Sequence, residues 1–242
     1  MCGRFIMTDS APDLAAMFDI EHEAGALPDP SWNVKPTEQI PIVLESMKSD
    51  PAVRRLESAR WSLVPTFSPE LSAAFATFNA RAETVAEKPT FRTALAKTRA
   101  IIPATGYYEW HTVGTRKTPY FVHSEDGLPL TLAGLYSWWR NPALGQDDPA
   151  RWVLTATILT APAQGALADI HDRMPVLLPE EAWDRWLDPH ADGDQTLVNA
   201  VVEASTEEAA GLAFYEVAPL SGENAPELID PVGPEREVGY SA

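Results

Sequence analysis

Five short β-type segments decide the fold, and they are residues 100–103 (AIIP), 106–111 (GYYEWH), 119–123 (PYFVH), 130–138 (LTLAGLYSW) and 152–159 (WVLTATIL). Each is rich in β-branched and aromatic residues, which favour extended backbone. Turn-forming residues separate them, as in the EDG at 125–127. Many short strands at close spacing, with helices between them, predict a β-rich α+β fold around a curled sheet or barrel.

The residues before this stretch add strands and two helices. Residues 39–45 (QIPIVLE) and 52–61 predict two strands joined by a turn at 48–51 (KSDP). A capped, proline-started helix is predicted from Ser10, with Leu14 on its apolar face. A second helix is predicted near 90–98, with Thr90 as its N-cap.

The residues after this stretch complete one domain. Helices are predicted at 162–170, from Pro179 and at 196–204. A tight connector is predicted at 171–175, a strand at 176–178 and a closing strand at 213–217. We find no internal repeat and no linker in the sequence. The prediction is an α+β, β-rich single domain over residues 1–231, with a curled or barrel-like, mainly antiparallel sheet and peripheral helices. Residues 232–242 are predicted to be a loose C-terminal tail.

Composition excludes several classes of protein. The 242 residues are 45% hydrophobic, enough for a substantial core, and one cysteine rules out an intramolecular disulfide framework. No Cys/His cluster has zinc-ligand spacing, and no phosphate loop or dinucleotide fingerprint is present. Neither a signal peptide nor an apolar run long enough to span a membrane is visible. We therefore expect a cytoplasmic protein without metal or cofactor, and a monomer by default.

Charge is distributed unevenly along the chain. The net charge of −17 argues against general nucleic-acid binding, but residues 1–117 carry 13 bases against 14 acids. Residues 118–242 carry 5 bases against 21 acids. The first half can therefore hold a local basic groove for an anionic ligand, while the second half keeps the protein soluble.

Cys2 is the sole cysteine and directly follows Met1. If Met1 is trimmed, Cys2 carries a thiol and an α-amine on neighbouring carbons, with reference pKa values of about 8.5 and about 7.7–8.0. Both groups are nucleophiles, and together they can close a thiazolidine ring on an aldehyde. The alternative is that Cys2 is a small buried hydrophobe, as free cysteines often are.

Four other polar residues lie in segments that otherwise look buried. Asn79 and Arg81 alternate on an extended segment and so share a face. Glu109 is flanked by aromatic residues, and His171 lies between a predicted helix and strand. Each has a structural alternative: Glu109 and the arginines can form internal ion pairs, and His171 can be a hydrogen-bonded structural histidine.

Seven motifs in order resemble the SRAP family of abasic-site-sensing proteins. They are Met1-Cys-Gly-Arg-Phe5, Trp32-Asn-Val-Lys-Pro36, Trp61-Ser-Leu-Val-Pro65, Asn79-Ala-Arg-Ala-Glu-Thr84, Arg99-Ala-Ile-Ile-Pro103, Gly106-Tyr-Tyr-Glu-Trp110 and His171-Asp-Arg-Met-Pro175. The resemblance implies a groove for single-stranded DNA that contains abasic sites. It also implies a covalent crosslink between Cys2 and the ring-opened abasic sugar, which protects the lesion during the DNA damage response.

The resemblance also implies roles for individual residues. It makes Cys2, Asn79, Glu109 and His171 catalytic. The expected DNA contacts are Arg4, Arg81 and Arg173 to phosphates, Asn33 and Pro36 along the groove, Thr160 through its hydroxyl, and Phe67 against bases. Family members often carry paired tryptophans in the loop where this chain offers Phe67.

Two alternatives remain open from the sequence. Cys2, Glu109 and His171 are also compatible with a cysteine peptidase that removes its own initiator methionine. A non-catalytic DNA-binding module would bind the same ligand without a covalent product.

Overall fold

The structure of the protein is a computed structural model, and it describes residues 2–20, 26–47, 51–72, 75–220 and 222–239. The predicted turn at 48–51 falls mostly outside the described residues. The strands are β1 (Arg4–Met7), β2 (Ser31–Val34), β3 (Gln39–Ser46), β4 (Val53–Trp61), β5 (Asn79–Arg81), β6 (Arg99–Ala104), β7 (Gly106–Val113), β8 (Arg116–Ser124), β9 (Leu130–Arg140), β10 (Trp152–Pro162), β11 (Arg173–Pro175), β12 (Leu212–Glu216) and β13 (Arg236–Glu237). The α-helices are α1 (Ala11–Met17), α2 (Pro89–Lys97), α3 (Trp183–Leu187) and α4 (Gln195–Glu208).

Five strands close into a barrel in the order β9-β6-β3-β4-β10, with β10 returning to β9. All pairs are antiparallel except β4 with β10, where Arg60 lies opposite Thr155. Gly134 allows β6, β9 and β10 to approach closely, because a Cβ there would lie 2.7 Å from Ile102 Cδ1 and 3.1 Å from the Thr157 carbonyl oxygen. The predicted α+β class and the barrel-like, mainly antiparallel sheet are confirmed.

A second, antiparallel sheet runs in the order β13-β12-β8-β7-β1-β2. Alternation along its strands divides the side chains between two faces. Phe5 and Tyr107 join the main core, where Phe5 meets Trp61 edge to face with ring centroids 4.9 Å apart. Ile6 and Tyr108 join a smaller apolar cluster on the opposite face. The N-terminus is therefore held between the barrel and this sheet.

The helices lie at the periphery, and one predicted cap is wrong. Ser10 caps α1 as predicted, by accepting from the Asp13 amide. Helix α2 begins at Pro89, so its N-cap position is Lys88 rather than Thr90, and no side chain caps it. Proline sets the helical φ angle at the first position and lacks the amide that a cap would satisfy, so the N-cap position lies two residues earlier than predicted.

Three predicted elements near residues 162–178 also differ in detail. In place of the helix predicted at 162–170 there is a short 3-10 helix at Gly165–Asp169. The connector predicted at 171–175 contains strand β11. Of the predicted strand at 176–178, Leu177 forms an isolated bridge with Leu132. In short apolar stretches the sequence alone does not distinguish a helical turn from a strand.

The predicted loose tail is wrong for much of its length. Residues 236–237 form β13 against β12, and Val238 is buried. The Ala166 amide donates to the Val238 carbonyl oxygen at 3.1 Å, which ties this segment to the region after β10. Backbone hydrogen bonding, which hydropathy does not report, orders these residues. Residues 240–242 lie outside the described part of the chain.

Candidate active site

Cys2 is fully buried and lies two residues before the start of β1. Strand β1 pairs with β7 so that Arg4 lies opposite Tyr108 and Phe5 opposite Tyr107. The Cys2 thiol makes one weak hydrogen bond, to the Arg4 carbonyl oxygen at 3.8 Å. Burial raises the pKa of the Cys2 thiol, and the neighbouring Glu109 carboxyl raises it further. The folded chain therefore holds Cys2 as a neutral thiol near neutral pH.

Asn79 holds the backbone of Cys2. Strand β5 pairs in parallel with the end of β10, with Asn79 opposite Ile158. From there the Asn79 Nδ2 donates to the Cys2 carbonyl oxygen at 2.8 Å. The Asn79 Oδ1 is buried and has no hydrogen-bond partner within the described ranges. One end of the amide therefore fixes Cys2, and the other can accept a further donor.

Glu109 and Tyr107 lie on the same face of β7, because they are two positions apart along the strand. Glu109 is buried, and its Oε1 accepts from the Trp110 amide at 3.1 Å. Tyr107 is also buried, and burial, then Cys2, then Glu109 raise its pKa well above the ordinary value. Glu109 was predicted from the sequence, and the structure places it on the core-facing side of β7.

Arg4 and Asn33 form a second pair beside this cluster. The Arg4 Nη1 donates to the Asn33 Oδ1 at 2.6 Å, and the Asn33 Nδ2 donates to the Glu223 carbonyl oxygen at 3.0 Å. Asn33 is itself buried. It therefore orients Arg4, and direct DNA contact by Asn33 is not favoured by this arrangement.

Arg4 lines a groove together with Lys35 and Lys117, two lysines that were not predicted from the sequence. A cavity of about 330 Å³ is lined by Arg4, Lys35, Trp110, Lys117, Pro119, Pro219, Leu220 and Gly222. Within the described chain, neither Lys35 nor Lys117 has a carboxylate partner. This basic groove in a protein of net charge −17 suits an anionic ligand.

His171 has two competing neighbours at one ring nitrogen. The Arg173 amide donates to His171 Nδ1 at 3.0 Å, and the Asp172 Oδ1 lies 2.9 Å from the same atom. The backbone amide is fixed, whereas the Asp172 side chain is exposed and can turn. The neutral ring therefore carries its proton on Nε2, and a protonated ring can donate from Nδ1 to Asp172.

Arg173 and Thr160 are not placed as the predicted DNA contacts require. Both Arg173 Nη1 and Nη2 bind the Glu83 carboxylate, and Nη2 also donates to the Thr160 carbonyl oxygen at 2.5 Å. Arg173 is 8% exposed and Thr160 has no exposed surface. Both side chains are enclosed by the fold and Arg173 already has an anionic partner, so this arrangement does not favour the predicted contacts.

The remaining predicted contacts are more accessible. Arg81 is exposed and Pro36 is half-buried. Phe67 is 68% exposed, and Phe75, which sequence reasoning did not select, is 55% exposed in the same loop. Phe67 and Phe75, together with Pro65 and Thr90, line an open cavity of about 400 Å³. The loop thus presents two aromatic side chains to a ligand.

No group of three or more His, Cys, Asp or Glu in the described ranges is arranged to hold a metal ion. No helix among those residues is long and apolar enough to cross a membrane.

The fold and the buried N-terminal cysteine define a member of the SOS response associated peptidase (SRAP) family. The model of that family matches residues 1–222, and the chain belongs to it. The resemblance found in the sequence is thereby confirmed.

The chain is similar to several named relatives. It is 33% identical to the abasic site processing protein YoqW of Bacillus subtilis over 238 residues, which cover 95% of this chain and 99% of YoqW. It is 31% identical to the abasic site processing protein YedK of Escherichia coli over 201 residues, which cover 81% and 83% of the two chains. It is 28% identical to the abasic site processing protein HMCES of Xenopus tropicalis, covering 78% of this chain and 66% of HMCES.

Two solved structures have the same fold. A protein from Bacteroides thetaiotaomicron superposes with a TM-score of 0.75 at 25% identity, covering 96% of this chain and all of that one. A protein from Bordetella bronchiseptica superposes with a TM-score of 0.72 at 25% identity, covering 90% of this chain and all of that one.

Proposed function

We propose that the protein processes abasic sites in single-stranded DNA by forming a covalent crosslink through Cys2. The observation that carries the proposal is the cluster at the N-terminus, where Asn79 binds the Cys2 backbone and Glu109 lies beside the thiol. The names of the relatives, abasic site processing proteins, support the choice of DNA lesion.

The chemistry uses both nucleophiles of an N-terminal cysteine. The Cys2 α-amine attacks the aldehyde carbon of the ring-opened sugar to give an aminol, which loses water to form a Schiff base. The Cys2 sulfur then adds to the same carbon, and its proton is transferred to the nitrogen. The product is a thiazolidine, and water is the only molecule released.

The surrounding residues supply proton transfers and binding. Ring opening and aminol dehydration need an acid and a base near neutral pH, roles that suit Glu109 and His171. The free Asn79 Oδ1 accepts a hydrogen bond from the Cys2 amine, which orients it toward the sugar. Arg4, Arg81, Lys35 and Lys117 bind phosphates, and Phe67 and Phe75 stack on bases.

The proposal requires that Met1 be removed. An internal Cys2 has its nitrogen in a peptide bond, so the amine that forms the Schiff base does not exist. Trimming supplies the amine.

The test is incubation with a single strand that contains one abasic site, followed by a denaturing gel and mass analysis of the N-terminal peptide. We expect an adduct on Cys2 whose mass is the sum of peptide and DNA less one water. The matched control is a strand with a tetrahydrofuran abasic analogue, which lacks the aldehyde and gives no adduct. An equal amount of adduct with Cys2→Ala would refute the proposal.

The same experiment separates the alternatives. A cysteine peptidase would release Met1 from purified precursor in the absence of any aminopeptidase, and Cys2→Ala would retain it. A binding module would shift the abasic strand on a native gel and leave no product on a denaturing one.

A further inference from the structure

The second sheet holds residues 235–239 in place as a segment that we call the C-terminal strap. Strand β13 of the strap pairs with β12, and the Val238 amide donates to the Leu212 carbonyl oxygen at 2.9 Å. The Val238 side chain is 4% exposed and belongs to the main core. The strap is therefore an ordered part of the fold, although it lies beyond residues 1–222, which match the family model.

The C-terminal strap contacts the 3-10 helix that precedes His171. The Ala166 amide, near the start of this helix, donates to the Val238 carbonyl oxygen at 3.1 Å. At the end of the helix, the Asp169 Oδ2 lies 4.0 Å from the Arg236 Nη2 of the strap. The strap therefore contacts the helix at both of its ends.

The first residue of the 3-10 helix is fitted to the strap. Gly165 has a φ of +51°, in the left-handed region that favours glycine. A Cβ at this position would overlap the carbonyl oxygens of Val238 and Gly239. Glycine at position 165 therefore supplies both the backbone conformation and the space that the strap occupies.

The same 3-10 helix fixes the backbone of His171. The His171 amide donates to the Leu167 carbonyl oxygen at 3.0 Å, and Leu167 directly follows Ala166, which binds the strap. Leu167 is 3% exposed and packs in the main core together with Val238. Two backbone hydrogen bonds on adjacent residues therefore connect the strap to His171.

We propose that the C-terminal strap, through Val238, positions the His171 imidazole for the proton transfers of the crosslinking reaction. The inference rests on the proposed function for the reaction that His171 serves, although the placement of the ring is measurable without DNA. Val238 is a positioning residue in this role, because it acts through Ala166 and Leu167. Placement matters for the rate, since a displacement of about 1 Å can slow a reaction roughly 100-fold.

The first test records the His171 ring by nitrogen-15 NMR in protein without DNA. Val238→Pro removes the amide that binds the Leu212 carbonyl oxygen, and should release the strap from β12. At about pH 8.5, well above the reference histidine pKa of about 6.5, the wild-type ring should carry its proton on Nε2, because Nδ1 accepts from the Arg173 amide. We expect Val238→Pro to give a mixture of tautomers. His171→Gln identifies the His171 signals among those of the five histidines.

Val232→Pro is the matched control. It removes the same kind of bond in the same part of the chain, from the Val232 amide to the Glu216 carbonyl oxygen at 2.8 Å, but Val232 has no hydrogen bond to the 3-10 helix among the described residues. Both proline variants lose one backbone hydrogen bond, so both melting temperatures should fall. Only Val238→Pro should change the His171 signals.

A milder variant keeps the inference testable if Val238→Pro does not fold. Val238→Ala retains the amide and loses part of the buried side chain, so it should change the His171 signals in the same direction and by less. Signals that are the same in the wild type and in both Val238 variants overturn the inference. An equal change in Val232→Pro also overturns it, because the effect would then be a general loss of stability.

A double-mutant cycle tests the consequence for the reaction. We expect Val238→Pro to slow single-turnover crosslinking to an abasic strand by roughly five- to tenfold, and to have no further effect when His171→Gln is also present. Slowing by the same factor in both backgrounds would show that the strap acts independently of His171, and would overturn the inference.

The outcomes also separate the two proposals. His171 signals that depend on Val238, in a protein that forms no adduct with abasic DNA, support the positioning role and refute the proposed function. Adduct formation at the same rate in wild type and Val238→Pro, with unchanged His171 signals, refutes the positioning role alone.

Discussion

The Asn79 side-chain amide donates a 2.8 Å hydrogen bond to the Cys2 carbonyl oxygen, joining residues that are 77 positions apart in the chain. The bond ties Cys2 to β5, which pairs with β10 of the barrel sheet. A chain terminus is usually mobile unless it is tied down, so this contact sets the direction in which the Cys2 nucleophiles point.

Replacing Asn79 should slow crosslinking and leave the fold intact. In Asn79→Ala the Cys2 backbone loses its donor and its amine loses an acceptor, so we expect the single-turnover rate to fall roughly tenfold or more. Asn79→Asp keeps an acceptor but cannot donate to the Cys2 carbonyl, and should also be slow. Equal rates for all three proteins would show that Asn79 does not orient Cys2.

Blocking the N-terminus should abolish the reaction. A glutamate inserted between Met1 and Cys2 prevents trimming and leaves the Cys2 nitrogen in a peptide bond. We expect no denaturation-resistant product on abasic DNA, although the thiol remains present. Intact mass confirms retention of Met1 in this variant. Crosslinking at the wild-type rate by such a protein would rule out the amine as a reactant.

The ion pair between Glu83 and Arg173 should make stability depend on pH. The hydrogen bonds from Arg173 hold the Glu83 pKa below its usual range. A carboxyl with a depressed folded pKa stabilises the fold above its unfolded pKa, near 4.3, and this contribution is lost as the pH falls through the folded value. Glu83→Gln should therefore be less stable by roughly 1–2 kcal/mol at neutral pH, because the buried arginine loses an anionic partner that is itself half-exposed.

Denaturant unfolding at several pH values tests this linkage. The difference in unfolding free energy between wild type and Glu83→Gln should shrink as the solution is acidified below about pH 4. Asp184→Asn is a matched control, because Asp184 pairs with Arg54 at 2.5 Å but its side chain is 92% exposed. We expect at most about 0.5 kcal/mol for that control. A difference that is constant with pH would contradict the assignment.

The loop aromatics should contribute to DNA affinity. Stacking of one base on an aromatic side chain is worth about 1–3 kcal/mol, so Phe67→Ala and Phe75→Ala should each weaken binding of single-stranded DNA at least fivefold. Trp152→Ala provides the control, since Trp152 is exposed to a similar degree but lies at the start of β10. Fluorescence anisotropy with a labelled strand measures all three. Equal losses in the control and loop variants would indicate a non-specific effect.

The basic groove should set the salt dependence of binding. Each phosphate contact contributes about −0.7 to the slope of log K against log salt for a single strand. Lys35→Gln and Lys117→Gln should each reduce the slope by about that amount and weaken binding at low salt. Lys97→Gln is the control, because Lys97 already pairs with Asp192. Unchanged slopes in both groove variants would place the DNA elsewhere.

Much of the fold was predictable from local sequence. The five β segments of residues 100–159 all form strands, because alternation and β-branched residues act within one segment. The sequence motifs and the apolar segments around them predicted three site residues, Cys2, Asn79 and Glu109. The structure brings these three residues together.

The sequence by itself determined the strands, the family and the residue that can act as a nucleophile, because these depend on residue types and their spacing. The tertiary structure alone decided which polar groups are available. Arg173 is enclosed by Glu83 and Thr160, whereas Lys35 and Lys117 line an open groove. Residue type and sequence spacing do not distinguish a buried cation from an exposed one. Packing between distant segments determines whether water, a carboxylate or a ligand lies beside the cation.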